Sequence, residues 1–197
     1  MKELKEFLKD KSIIKYRMWD EVYMRIRPKK VLNPKTIKQN NNRLPFGFRS
    51  KFASKNLRTL IDPYWNPVHN NRAKSGFNLF MSVNKPAFVQ GQLSYKDFIL
   101  IPENGLNQVV FDGHREKNCH MLSWDLAIGD NRALPNDELY LIILTGQFHL
   151  DIRRLNVFRK DKTVKLDLDF SNGQHYYVFW KREGRWSESK YLFSGTA

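Results

Sequence analysis

Cysteine is nearly absent from this chain, glycine is sparse, and acidic residues are thin in the first third. The single cysteine, Cys119, among 197 residues excludes an internal disulfide framework, and a lone thiol in an apolar, strand-like setting is more often a small core residue than a nucleophile. Ten glycines include no Gly-rich phosphate loop followed by Lys-Ser/Thr, no dinucleotide fingerprint and no Gly-x-Ser-x-Gly elbow. No stretch approaches the roughly 20 consecutive apolar residues of a membrane span. The opening MKELKEFLKDK lacks the apolar core, roughly 7–15 residues long, of a secretory signal. A soluble protein made in the cytoplasm is expected.

Metal and catalytic constellations are missing as well. The histidines at 69, 114, 120, 149 and 175 are scattered, with no His-x3-His or Cys-x2-Cys pair to hold an ion. His114 and His120 flank Cys119, but within a hairpin-like segment where solvated histidines are the ordinary outcome. Asp167 and Asp169 lie two apart on one strand face, and no sugar-binding groove accompanies them. The segments 130–132 and 136–138 carry turn chemistry and lack calcium-loop spacing. The expectation is therefore no enzyme, no metal and no cofactor.

What is present is a large apolar fraction, 41% hydrophobic with 14% aromatic, enough for a sizeable core and too much for a disordered chain. Charge is uneven. Residues 1–60 hold 17 Lys+Arg against 5 Asp+Glu, whereas residues 61–197 hold 17 against 15. Charge localised in this way marks an arm that meets phosphate, an anionic surface or an acidic partner, attached to a body with a separate task. A basic face kept only for solubility is the plain alternative.

Residues 2–10 carry a short helical stripe through Leu4, Phe7 and Leu8. Two β-rich runs follow, 13–19 and 22–27, joined by Asp20-Glu21, which predicts a hairpin. Alternation along each strand sets Ile14, Tyr16 and Met18, with Val22, Met24 and Ile26, on an apolar side, and Lys15, Arg17, Arg25 and Arg27 on a cationic one. Lys29, Lys30, Lys35 and Lys38 extend that basic character through a polar linker, residues 28–42. These eight residues are the candidate binding site for nucleic acid or a protein partner. Tyr16, Trp19 and Tyr23 lie among them and could stack on bases.

An amphipathic helix is predicted over 46–61, ending at Asp62-Pro63. A second is predicted over 75–83, capped by Ser75 or a neighbour and stopped at Lys85-Pro86. Beyond residue 93 the pattern turns to strands at 95–101, 108–112, 120–127, 138–145, 148–158, 163–170, 175–181 and 190–193. Their spacing predicts an antiparallel sandwich or barrel. Asn172-Gly173 predicts a type I′ hairpin turn between the neighbouring strands, and Glu183-Gly184-Arg185 a looser one. Trp124 is the expected plug of the sandwich core. The domains follow: a basic arm with a hairpin over 1–42, a helical section over 43–90, and a β-sandwich over 91–197.

The order of hairpin, Arg27-Pro28-Lys29-Lys30, Asn33-Pro34-Lys35-Thr36-x-x-Gln39, the helix near Arg49-x-Lys51-Phe52, and Ser75-Gly76-Phe77-Asn78 resembles an uncharacterised family common in Bacteroidota. The likeness covers nearly the whole chain, but departs from the family where Asp20-Glu21 stands in place of a turn glycine. It implies a mainly β (α+β) fold with an Ig-like C-terminal sandwich, and no activity or catalytic residues. The hairpin followed by Asn-Pro-x-Thr-x-x-Gln also resembles short proteins found beside phage and mobile-element genes, which implies a virion location. Together these readings predict a non-enzymatic structural or interaction protein. It would assemble as a homo-oligomer or with other structural subunits through its basic arm, with nucleic-acid binding as the alternative.

Overall fold

The computed structural model describes residues 13–18, 21–27, 35–69, 75–89, 92–116, 119–125, 131–146, 148–168 and 173–194. The expected helix at 2–10, the turn pair Trp19 and Asp20, and Lys29 and Lys30 lie outside the described residues. Two compact units divide the chain, residues 1–37 and residues 38–197.

The first unit contains a hairpin, β1 (Ile13–Met18) and β2 (Glu21–Ile26), forming a two-stranded antiparallel sheet. None of its described residues is fully buried.

The second unit is mainly β and built in three layers. A five-stranded antiparallel sheet forms the middle. Its strands are β7 (Glu138–Thr145), β8 (His149–Phe158), β10 (Gln174–Arg182), β11 (Arg185–Trp186) and β12 (Lys190–Ser194), in the order β11-β10-β7-β8 with β12 also paired to β10. A three-stranded sheet covers one face: β5 (Phe111–Glu116), β6 (Cys119–Trp124) and β9 (Thr163–Asp167), in the order β5-β6-β9. Three helices cover the other: α1 (Ile37–Lys55), the wide-turned α2 (Leu57–Trp65) and α3 (Gly76–Val83). A short hairpin, β3 (Phe88–Val89) with β4 (Gln92–Leu93), follows α3.

Period-two alternation on the central strands assigns each residue to a layer. Leu139, Leu141 and Ile143 of β7, and Tyr176, Val178 and Trp180 of β10, pack toward Leu122, Trp124 and Leu166 of the small sheet. The intervening Ile142 and Leu144, with Tyr177 and Phe179, pack toward Phe52, Leu60, Trp65 and Phe80 of the helices. Both faces are covered, so 176–180 is apolar at every position and wholly buried. The sandwich expected from strand spacing is therefore only two of three layers. The helical section shares one core with the sheet, and no divide falls at residue 90.

Several local expectations are corrected. Residues 37–42, read as linker, are the start of α1. The helix expected to stop at Asp62-Pro63 breaks instead at Asn56, whose side chain donates to the carbonyls of Phe52 and Phe148, each at 3.0 Å. The chain then continues through Pro63 in five-residue turns, with Ile61 N–H donating to Asn56 O and Asn66 N–H to Ile61 O. Burial of Tyr64 and Trp65 holds this turn beyond the proline. The α3 expectation is borne out, with Ser75 Oγ accepting from Asn78 N–H at 3.2 Å.

Residues 95–101 are no strand. A 3-10 turn at Tyr95–Asp97 leads into an apolar run whose backbone groups are met by side chains: Asn84 exchanges two hydrogen bonds with Ile99, and Ser189 Oγ accepts from Leu100 and Ile101 N–H. Asn172, in the expected hairpin turn Asn172-Gly173, lies outside the described residues; among those described, β9 pairs with β6 and β10 with β7, so the strands on either side belong to different sheets. The looser signal is the true hairpin. Arg182 faces Arg185 across a two-residue link in which Gly184 adopts φ +66°.

His175, on β10, stacks against Tyr95 with ring centroids 3.3 Å apart, and burial pushes its pKa below the usual histidine value. The unfolded chain therefore takes up a proton more readily than the folded one. Stability from this group is complete above the unfolded histidine pKa, about 6.5, and is lost as pH falls through the lower folded value. His175→Phe should flatten the acid limb of the urea midpoint between pH 7.5 and 5, an effect absent if both proteins lose stability in parallel.

Candidate functional site

The hairpin shows how register decides a surface. Ile13 faces Ile26, Lys15 faces Met24, and Arg17 faces Val22, while Ile14 faces Arg25, Tyr16 faces Tyr23, and Met18 faces Glu21. Directly opposed residues share a face. Because two residues separate the paired ends, an even position in β1 always meets an odd one in β2. The expected split into an apolar and a cationic side is therefore wrong. Lys15 and Arg17 share a face with Val22, Met24, Ile13 and Ile26, whereas Arg25 shares the other with Ile14, Tyr16 and Tyr23.

Each face mixes charge with carbon. On one, Val22, Met24 and Ile26 are 63%, 51% and 77% exposed beside the cations. On the other, the Tyr16 and Tyr23 rings stack with centroids 5.8 Å apart, and the Arg25 guanidinium lies 5.9 Å from the Tyr16 centroid. Tyr23 donates to Glu21 at 2.8 Å, a bond that raises its pKa. Arg27 is exposed just beyond β2. Lys35 is exposed and has φ +49°. Lys38 lies in the second compact unit, on the first turn of α1.

The positive charge of the first third is thus shared by both units. Residues 1–37 hold 11 Lys+Arg against 5 Asp+Glu, a net of +6; residues 38–60 hold six Lys+Arg and no acid, a further +6. α1 is therefore a second basic element, built into the body.

One of its cations is buried. Arg49 is 6% exposed, on the same helical stripe as Phe52 and Ala53. Among the described residues its guanidinium has no carboxylate partner, and its buried Nε has no hydrogen-bond acceptor. Its guanidinium lies 5.1 Å from the Phe88 ring centroid. A cation over a ring contributes about 0.5–2 kcal/mol, whereas removing an ion from water costs several kcal/mol. Desolvation accordingly lowers the Arg49 pKa. Arg49 borders an open hollow of 390 Å³ with Asn41, Asn42, Phe46, Lys85 and Phe88. Asn42, Phe46 and Arg49 fall at i, i+4 and i+7, one face of the helix. Pro45, also in the wall, has no N–H to return to the Asn41 carbonyl. The spacing of Arg49 to Phe52 and Ala53, at i+3 and i+4, is the sequence signal that it lies inside.

A second buried charge group is structural. Asp137, fully buried, accepts Leu134 N–H at 3.0 Å on Oδ2 and forms ion pairs with Arg159, whose Nε lies 2.8 Å from Oδ2, and Arg182, whose Nη1 lies 3.5 Å from Oδ1. Arg159 Nη2 donates to Asn107 O at 2.5 Å, its guanidinium lies 4.7 Å from the Trp180 centroid, and its carbonyl accepts from Trp124 Nε1 at 2.8 Å. This group pins loops to the end of the sandwich. Cys119 is buried, and Trp124 is the core residue expected of it.

Among the described residues no three His, Cys, Asp or Glu side chains gather to hold a metal ion, and no helix is long and apolar enough to cross a membrane. No family model, curated protein or solved structure matches the chain.

Proposed function

We propose that this chain is a non-enzymatic assembly protein whose hairpin docks copies of itself, or other structural subunits, around a rigid three-layer body. The observation that carries it is the exposed apolar row of Val22, Met24 and Ile26 on a two-stranded sheet whose outer edges have no further strand among the described residues. An isolated ribbon of two strands is marginal in water and gains stability by lying against apolar surface or accepting another strand. Lys15 and Arg17 at the same face restrict which partner approaches and in which register. A virion or other particle of phage or mobile-element origin is the setting that the sequence resemblance implies.

Light scattering across protein concentration tests this. The mass should rise with concentration, and Val22→Lys with Met24→Lys should return it to the monomer at unchanged melting temperature. A wild-type chain that stays monomeric at millimolar concentration sinks the proposal.

A second reading, binding of single-stranded nucleic acid, is favoured by the Tyr16–Tyr23 stack beside Arg25. Such binding weakens steeply with salt because it releases counterions. Absence of binding to a labelled strand at low salt would eliminate this reading.

A further inference from the structure

The hollow beside α1 has the makings of a ligand site separate from the hairpin. Its wall holds Arg49, a residue 6% exposed whose buried Nε has no acceptor and whose guanidinium has no carboxylate partner among the described residues, an exposed ammonium, Lys85, two amide side chains, and a 56% exposed ring, Phe46. A volume of 390 Å³ falls in the range of small-molecule pockets, about 300–1,000 Å³. We infer that this hollow binds a nucleotide, its phosphate held by Arg49 and Lys85 and its base stacked on Phe46, with Asn41 and Asn42 at the base edge.

Each part of the ligand answers a feature that the protein alone leaves unanswered. A guanidinium matches phosphate oxygens with parallel N–H donors, and its bond to a charged acceptor is strongest where water is excluded. Lys85 supplies a second, more mobile charge. A free carboxylate would satisfy Arg49 but would leave Phe46 bare, whereas a base has a π-face for it. Asn side chains carry both donor and acceptor, as a base edge requires. The lowered pKa of Arg49 agrees with a charge that is desolvated before its ligand arrives.

Calorimetric titration of the full chain with adenosine 5′-monophosphate, ribose 5-phosphate, inorganic phosphate and a ten-nucleotide oligoadenylate tests the inference. The monophosphate should bind, and Arg49→Met should weaken it at least tenfold while leaving the melting temperature equal or higher, because an uncompensated buried charge has been removed. Phe46→Ala should weaken the monophosphate and leave ribose 5-phosphate unchanged. Lys85→Ala, at an exposed position, should weaken both and keeps the test open if Arg49→Met does not fold. Tighter binding of the oligonucleotide, with the same variant pattern, identifies a strand as the source of the nucleotide; tighter binding of the monophosphate identifies the free compound. The inference is overturned if no phosphate compound binds at millimolar concentration, if Arg49→Met and Lys85→Ala bind as well as wild type, or if Arg49→Met folds with a melting temperature several degrees lower, which would make Arg49 a structural partner of Phe88.

Discussion

Asp137→Ala should destabilise the body by about 3–5 kcal/mol, read as a lower urea midpoint at unchanged slope. The substitution removes the carboxylate that pairs with Arg159, a side chain 1% exposed that also donates to the Asn107 carbonyl and lies over the Trp180 ring. It also frees Leu134 N–H and removes the acceptor near Arg182. The pair is not itself a strong source of stability, because desolvating two charges offsets most of their attraction. Asp137→Leu combined with Arg159→Met should therefore recover most of the single-variant loss. A loss under about 1 kcal/mol for Asp137→Ala, or a double variant as unstable as both singles added, would show that these charges are not coupled as the geometry requires.

Gly76→Ala should cost about 3 kcal/mol or prevent folding, at the upper end of what overpacking does. Gly76 opens α3, and its N–H donates to Asn66 Oδ1 at 2.9 Å. A Cβ there would stand 2.5 Å from the Trp65 backbone carbon and nearer still to Asn66 N. Backbone atoms cannot rotate aside as a side chain would, so α3 would have to part from the end of α2. Trp65 and Phe80, whose rings meet edge to face at 5.2 Å, would lose their packing with it. Gly146→Ala, with open space around its Cβ position, is the control and should be near neutral. Equal melting temperatures for Gly76→Ala and wild type would refute the close approach.

Much of the body was legible in the sequence because its signals are local. Ser75 caps α3 where its hydroxyl precedes an apolar run, and the β7, β8 and β10 segments stand close to their expected limits. Failures occurred where distant residues decide. The Asn172-Gly173 pair suits a hairpin, yet β9 finds its partner in β6, more than forty residues earlier. Residues 95–101 look like a strand, but Asn84 and Ser189 take up their backbone groups. The unbroken apolar character of 176–180 does signal burial on both faces, which a two-layer sandwich does not supply.

The candidate site was legible in composition and not in arrangement. The eight basic residues are where part of the charge lies, but the hairpin register puts Lys15 and Arg17 on the face opposite Arg25, and half of the early excess belongs to residues 38–60, five of its six cations on α1. The stripe of Arg49, Phe52, Ala53 and Asn56 lies within the predicted helix 46–61, but a charged residue at its head masks its inward direction, because arginine is seldom buried without a partner.

Salt separates docking through an apolar face from docking on phosphate, because the two respond with opposite sign. Apolar contact between like-charged hairpins strengthens as salt screens their repulsion, whereas phosphate contacts weaken. Sedimentation equilibrium of the full chain at 100 and 500 mM NaCl, without nucleic acid, is the direct measurement. Assembly through the hairpin predicts a larger average mass at 500 mM and a monomer at both for Val22→Lys with Met24→Lys. A monomeric wild type at both salt concentrations, or association that the double variant leaves untouched, would contradict it.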